Sequence, residues 1–212
     1  MKKFTGAAAW LFLSCAVICQ AADIRPALIE TFGNEGGKQC LKSDPGNQYP
    51  DGTWGCTVFG ASPRSYPKLP KDATIDDVAG LYLQDFWNPL HLSEIESQIV
   101  ANAIFDAAIN QGEGTWRRKM QEALQEVVNL SNSTSVDIVV DGSIGPKTIR
   151  ALNSVDQVDL YVNLIGLQWE RYHIIVKKNP KMKEWYRGWM KRVARTVTKA
   201  VHDRDAKMKG AH

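Results

Sequence analysis

Histidine is scarce in this chain. Among 212 residues there are four, His91, His173, His202 and His212. No two stand at a ligand-pair spacing such as His-x3-His, so no metal centre and no cofactor are expected. Each imidazole reads as a surface or satisfied side chain, the last two in a terminal tail. Internal repeats and long low-complexity runs are also missing, which excludes a solenoid or collagen-like chain. Nor is there a strong overall charge: the formal net charge is +3, which speaks against nucleic acid as a partner. What remains is ordinary for a soluble globular protein, 44% hydrophobic and 23% charged residues. The length suffices for one well-cored domain or two small ones.

The N-terminus reads as a targeting segment. Met1-Lys2-Lys3 is basic, Phe4 to Cys19 is uncharged and mostly apolar, and Cys19-Gln20-Ala21-Ala22 ends in small residues. This is the tripartite pattern of a signal peptide over residues 1–22, cut near Ala21 or Ala22. A weak signal anchor is the alternative. Thr5 to Ala22 gives 18 uncharged residues, the lower edge of a span, and transient membrane association through residues 4–22 would follow. Lipidation at Cys19 fits less well because bulky Ile18 precedes it. The expected location is the periplasm or the extracellular space. Removal of the segment leaves Cys40 and Cys56, which an oxidising compartment can join. Such a bridge closes a loop of about 17 residues and contributes roughly 3 kcal/mol on the chain-entropy model. Two unpaired thiols are the other reading. With the anchor retained, Cys15 and Cys19 are further exchange partners. Charge is split along the chain: residues 23–165 carry net −8, and residues 166–212 carry net +9. The basic part suits an anionic envelope surface or a solvated helix face.

The pattern along the chain is nearly all helical. Pro26 to Phe32 predicts a short helix closed by Gly33. Glu35 to Asp72 is a long loop dense in Gly, Pro, Asn and Asp. Thr74, with Asp77 three residues on, predicts a capping box opening a helix to about Trp87, which Pro89 stops. Ser93 with Glu96 predicts another start, and Gly112 its end. Trp116, Met120, Leu124 and Val127 mark the next helix. Asn129 to Asp141 is a loop or hairpin edge around the apolar run Ile138-Val139-Val140. Helices are expected from Gly145-Pro146 through Leu152, from Asp156 to about Lys178, and from Tyr186 to Asp203, with a break at Asn179-Pro180. The fold class is mainly α, with any sheet small and confined to the Glu35–Asp72 loop, and a boundary between lobes near Gly112 to Thr115.

One loop carries a candidate hydrolytic set. Glu35 follows the first helix and precedes Gly36-Gly37, whose bare backbone lets a large polymer approach. Asp44 stands nine residues on in the turn Asp44-Pro45-Gly46, and Thr53, Trp54 and Thr57 follow. Hydrolysis of a glycoside needs a protonated acid and a second carboxylate across the bond. An acid before two glycines is also a common turn element, so local chemistry leaves both readings open. The helix ending at Gly112 is apolar all round yet repeats Asn102, Asp106 and Asn110 on one face. That stripe either faces a cleft or forms an internal network.

The ordered segments Glu35-Gly36-Gly37, Asp44-Pro45-Gly46 and Gly55-Cys56-Thr57 resemble the opening signature of glycoside hydrolase family 108. The resemblance continues through Tyr82, Phe86-Trp87-Asn88-Pro89 and Phe105 to Gly112. It extends into that family's companion peptidoglycan-binding region at Leu124, Asp141 to Thr148 and Trp185 to Arg192. It implies a two-lobe, lysozyme-like helical fold and an N-acetylmuramidase that cuts β-1,4 bonds of peptidoglycan. By the same resemblance Glu35 is the catalytic acid. Its spacing to Asp44 is similar to the Glu-x8-Asp of phage-type lysozymes, which gives Asp44 the second position. Thr57 matches the family's threonine, with Thr53 as fallback, because Asn47 to Asp51 are extra residues here. Trp54, Tyr82, Asp106 and Asn110 are the expected substrate contacts. Cys56 departs from the usual aliphatic residue, in keeping with a Cys40–Cys56 bridge. The implied organisation is 1–22 signal, 23–113 catalytic region, 114–205 peptidoglycan-binding region and 206–212 tail, in an endolysin-like monomer. Asp141 to Thr148 reads by itself as a turn and helix start, a structural corner or a wall contact.

Two rivals stand beside this. A non-catalytic wall-binding or secretion-assisting protein would keep the fold without the chemistry. A peptide-cleaving amidase or endopeptidase would use Cys56 as nucleophile with His91 or His173 as base. A Cys40–Cys56 bridge would remove the second.

Overall fold

The computed structural model describes residues 21–32, 37–131 and 137–209. Glu35, most of the targeting segment, residues 132–136 of the Ser/Asn-rich loop and the last three residues lie outside them. The fold is mainly α, with seven α-helices and one two-stranded sheet among the described residues. No helix there is long and apolar enough to cross a membrane, and no group of side chains there is arranged to hold a metal ion.

Helix α1 spans Ile24–Phe32 and buries Ile24, Ala27, Leu28 and Phe32. Two short strands follow, β1 at Lys38–Gln39 and β2 at Thr57–Val58, paired antiparallel with Lys38 opposite Val58 and Gln39 opposite Thr57. Helix α2, Ile75–Tyr82, opens on the expected capping box: Thr74 accepts from the Asp77 amide and the Asp77 carboxylate accepts from the Thr74 amide. It stops at Tyr82 rather than Trp87. Leu83–Trp87 is a wider π turn, which carries Trp87 into edge-on contact with Phe105 at 5.5 Å.

Helix α3, Gln98–Gln111, is the centre of the molecule, with every residue from Val100 to Ala108 buried. Its start is a correction. Ser93 does not precede it; Ser97 occupies the N-cap position, without a side-chain capping bond. The expected first turn is occupied by a 3-10 turn, Leu92–Glu94, entered through His91 at φ 54°. Asn153 holds that stretch in place, accepting from the Glu96 amide at 3.1 Å and donating to the Glu94 carbonyl at 2.9 Å. A contact from 57 residues away thus outweighs a local capping pattern. Gly112, at φ 94°, ends α3 and opens α4, Glu113–Leu130. The predicted stripe Trp116, Met120, Leu124 and Val127 lies buried along α4.

Ile138-Val139-Val140 forms no strand. Beyond it, the Asp141-Gly142-Ser143 turn is clasped by buried Gln121, which donates to the Asp141 carboxylate and the Ser143 carbonyl and accepts from the Gly142 amide at 2.7 Å. Helix α5, Pro146–Ser154, has Pro at its first position. Helix α6, Gln157–Lys178, is capped by Asp156 and has Lys177 and Lys178 in its last turn, where they complement the helix dipole. It ends at Asn179, whose side chain caps the 3-10 turn Pro180–Met182. Helix α7, Lys183–Lys209, starts three residues before the expected Tyr186. Helix α6 lies against α3, α4 and α7. One hydrophobic cluster runs through all of these, from Leu28 of α1 to Val193 of α7.

Candidate active site

The loop between α1 and α2 is built around one buried amide. Asn47 has no exposed surface. Its Oδ1 accepts from both the Thr57 amide and the Thr57 hydroxyl, each at 2.7 Å. Its Nδ2 donates to the Leu41 carbonyl at 3.0 Å, and its own carbonyl accepts from the Gly55 amide at 2.8 Å. The amide orientation follows from these partners, since a flipped Asn47 would set donor against donor and acceptor against acceptor. Asp44 starts the same turn. Its Oδ1 accepts from the Gly46 amide at 2.8 Å, capping the 3-10 turn Pro45–Asn47. The Asp44 carboxyl is exposed, and its second oxygen has no partner among the described residues.

Cys40 and Cys56 are bridged, with Cα atoms 4.2 Å apart. The expected disulfide is therefore present, and it lies one residue before Thr57. It closes the segment that carries Asp44, Asn47 and Trp54. The bridge also removes the thiol rival, because Cys56 has no free thiolate to act as nucleophile. The histidines named as its base are engaged elsewhere: His91 faces Glu94 at 2.7 Å, and His173 lies tilted against Trp169 and meets the Tyr186 hydroxyl.

The glycine that follows Glu35-Gly36 is required twice over. Gly37 has φ 68°, and a Cβ there would sit 2.7 Å from the Phe59 ring. The Gly37 carbonyl accepts from the Phe59 amide. Phe59, at φ 45°, and Gly60, at φ 80°, form the tight turn after β2. Phe59 in that left-handed conformation costs about 1 kcal/mol or more, and its ring lies against Gly37.

The expected substrate contacts separate into two groups. Trp54 is 39% exposed and sits on the site loop, opposite Gln48 in an isolated bridge. Thr53, the fallback for Thr57, is tied to Asp51, which accepts from both its amide and its hydroxyl. Those bonds hold the Asp51 carboxyl below its ordinary value. Tyr82 is a correction: it is 2% exposed, surrounded by Phe32, Tyr66, Phe86 and Phe105, and offers no face to a polymer. Its hydroxyl donates to the Phe59 carbonyl at 3.2 Å, so it acts on the loop from beneath. Burial pushes its phenol above the ordinary range.

Asp106 and Asn110 belong to a second network, on α3. Asp106 is 8% exposed. One oxygen faces Arg192 of α7 at 2.6 Å, and the other accepts from Gln168 of α6 at 2.9 Å. Burial drives this carboxyl above its ordinary value, opposed by the Arg192 charge and the Gln168 bond. Asn110 is exposed and donates back to the Asp106 carbonyl at 2.6 Å. Asn102 donates to Glu30 of α1 at 2.7 Å. Asn102 and Asp106 of the stripe thus make internal links from α3 to α1, α6 and α7, while Asn110 stays at the surface.

Sequence reasoning missed Asn47. It sits among residues that have no counterpart in the family pattern, and an Asn after Pro-Gly reads as an ordinary turn. Arg192 and Gln168 were missed as partners of Asp106 because they stand 86 and 62 residues away.

The helical layers and the site loop define a lysozyme-like class of fold. Among solved structures, SagA from Brucella abortus matches with a TM-score of 0.57 at 22% identity, over 84% of this chain and 92% of that one. At that identity the likeness speaks for the fold. Residues 28–112 match the glycosyl hydrolase 108 family, and residues 118–194 match a predicted peptidoglycan domain. No curated protein matches the chain. The two regions support a lysozyme-like glycoside hydrolase with peptidoglycan as its substrate. Together with the disulfide they fit an extracytoplasmic protein.

Proposed function

We propose that this chain is an exported N-acetylmuramidase in which Glu35 is the catalytic acid. The observation that carries the reading is the glycosyl hydrolase 108 match over residues 28–112, a span that contains Glu35, Asp44 and Thr57. Glu35 protonates the glycosidic oxygen between N-acetylmuramic acid and N-acetylglucosamine. Asp44 acts from the other side, activating the attacking water or stabilising the oxocarbenium-like state. Thr57 orients the water, and exposed Trp54 supplies a flat apolar face for a sugar ring. Residues 1–22 direct export, and residues 114–205 hold the peptidoglycan-directed region.

Purified peptidoglycan digested by the wild type and by Glu35→Gln, with mass spectrometry of borohydride-reduced products, tests this. New reducing ends on muramic acid, lost with the variant, are expected. Reducing ends on glucosamine would replace the muramidase by a glucosaminidase. Freed amines with intact glycan would mean cleavage of the peptide stems. A folded wild type that releases nothing would leave a wall-binding or secretion-assisting protein.

A further inference from the structure

A threonine hydroxyl carries one proton and two lone pairs. Here the proton is committed. Thr57 donates it to Asn47 Oδ1 at 2.7 Å, and that oxygen cannot turn away, because it also holds the Thr57 amide while Nδ2 holds the Leu41 carbonyl. What Thr57 offers to its remaining surroundings is therefore acceptor capacity alone. Asn47 is fully buried, and the Cys40–Cys56 bridge closes the segment around it. The direction of the hydroxyl is thus set in advance of any ligand.

We infer that Asn47 is a positioning residue that fixes the Thr57 hydroxyl as an obligate hydrogen-bond acceptor, so that the hydrolytic water must donate a proton to it and turn a lone pair toward the anomeric carbon. The inference rests on the muramidase reading given above. Thr57 takes up no proton in the reaction. The water oxygen bonds to the anomeric carbon, the bond to the leaving oxygen breaks, the Glu35 proton goes to that oxygen, and the proton the water sheds passes to Asp44. A hydroxyl free to rotate would also present its proton to the water and hold it with the lone pair turned away. Preorientation removes that unproductive arrangement before the barrier is reached.

Steady-state kinetics on soluble peptidoglycan fragments test this with the full-length mature protein. Five variants are compared with wild type: Thr57→Val, Thr57→Ser, Asn47→Leu, Asn47→Asp and the double variant Asn47→Leu/Thr57→Val. Thr57→Val leaves the Asn47 amide bond to the Thr57 backbone intact, so it keeps the loop while deleting the hydroxyl. It is expected to lower kcat by about tenfold to a hundredfold with little change in KM, the scale of a misplaced reactant. Thr57→Ser should recover most of that loss. Asn47→Leu should lower kcat by a similar factor in the wild-type background and by no more than about twofold in the Thr57→Val background, since coupled residues are non-additive. Asn47→Asp, which keeps an acceptor for both Thr57 groups, should recover part of the Asn47→Leu loss. Equal losses from Asn47→Leu in both backgrounds, or a Thr57→Val enzyme with unchanged kcat, would overturn the inference. If Asn47→Leu does not fold by circular dichroism, the Thr57→Val and Thr57→Ser pair decides alone. Glu35→Gln, run in parallel, separates the two levels. Activity that survives Glu35→Gln overturns the muramidase reading and this inference together. Activity lost in Glu35→Gln but kept in Thr57→Val overturns only the role given to Asn47.

Discussion

The site loop and the helical centre satisfy their buried polar groups in opposite ways. In the loop, Asn47 bonds to Leu41, Gly55 and Thr57, all within ten residues. In the centre, Asp106 is met by Arg192 and Gln168 from helices far along the chain. A locally satisfied loop can open without unfolding the rest, whereas a network between distant helices fails only with the whole fold. The loop has few buried apolar side chains of its own and a disulfide instead. The centre has the continuous hydrophobic cluster.

The largest expected effect comes from breaking the centre. Arg192→Met leaves Asp106 without its cation in a site where it is 8% exposed, and should cost about 3–5 kcal/mol. Chemical denaturation would show one cooperative transition moved to lower denaturant. Adding Asp106→Leu should recover much of the loss, because a well-packed apolar pair replaces a half-broken ionic one. If Arg192→Met instead unfolds in two steps, the centre is not one cooperative unit.

Opening the loop should cost somewhat less. Cys40→Ser/Cys56→Ser releases a link between residues 16 apart and should lose about 3 kcal/mol on the chain-entropy model. The sharper readout is limited proteolysis: new cuts between residues 40 and 56 are expected while the helices stay protected. Cuts spread evenly over the chain would erase the contrast between the regions.

A smaller effect is expected at the joint between them. Thr74→Ala removes half of the capping box of α2 and should cost about 1 kcal/mol in thermal melting. The smallest is the response to acid. Hydrogen bonds hold the Asp51, Asp77 and Asp141 carboxyls below the usual 3.8. A depressed carboxylate stabilises the fold above its unfolded value and stops doing so as pH falls through the folded one. Melting temperature should therefore decline below about pH 3.8, and Asp77→Asn should lessen that decline. An unchanged acid response in Asp77→Asn would mean that other groups dominate.

Local signals were legible where local chemistry decides. The Thr74–Asp77 box, Gly112 at the end of α3, Asp156 at the start of α6 and the break at Asn179-Pro180 all appear where the sequence places them. The Cys40–Cys56 pair followed from export and elimination of the other two cysteines. The failures occur where a distant residue decides. Ser93-x-x-Glu96 is a sound capping pattern, yet Asn153 takes the Glu96 amide for itself. Tyr82 has the side chain of a sugar-binding residue, but burial under the Phe59 turn is a matter of packing that no motif encodes. Asn47 was invisible for another reason: its importance lies in three bonds converging on one side-chain amide, and only the folded loop brings Leu41 and both Thr57 groups to it.

The dependence of Asp106 on Arg192 and Gln168 bears on how this architecture can be recombined. A glycosyl hydrolase region transplanted alone, ending at Gln111, would carry α3 with a carboxylate designed for shelter and stripped of both its cation and its amide. Any successful chimera must therefore bring an equivalent of α6 and α7 with it. Exchange of the downstream region between relatives should succeed only when the residues facing position 106 travel as a set.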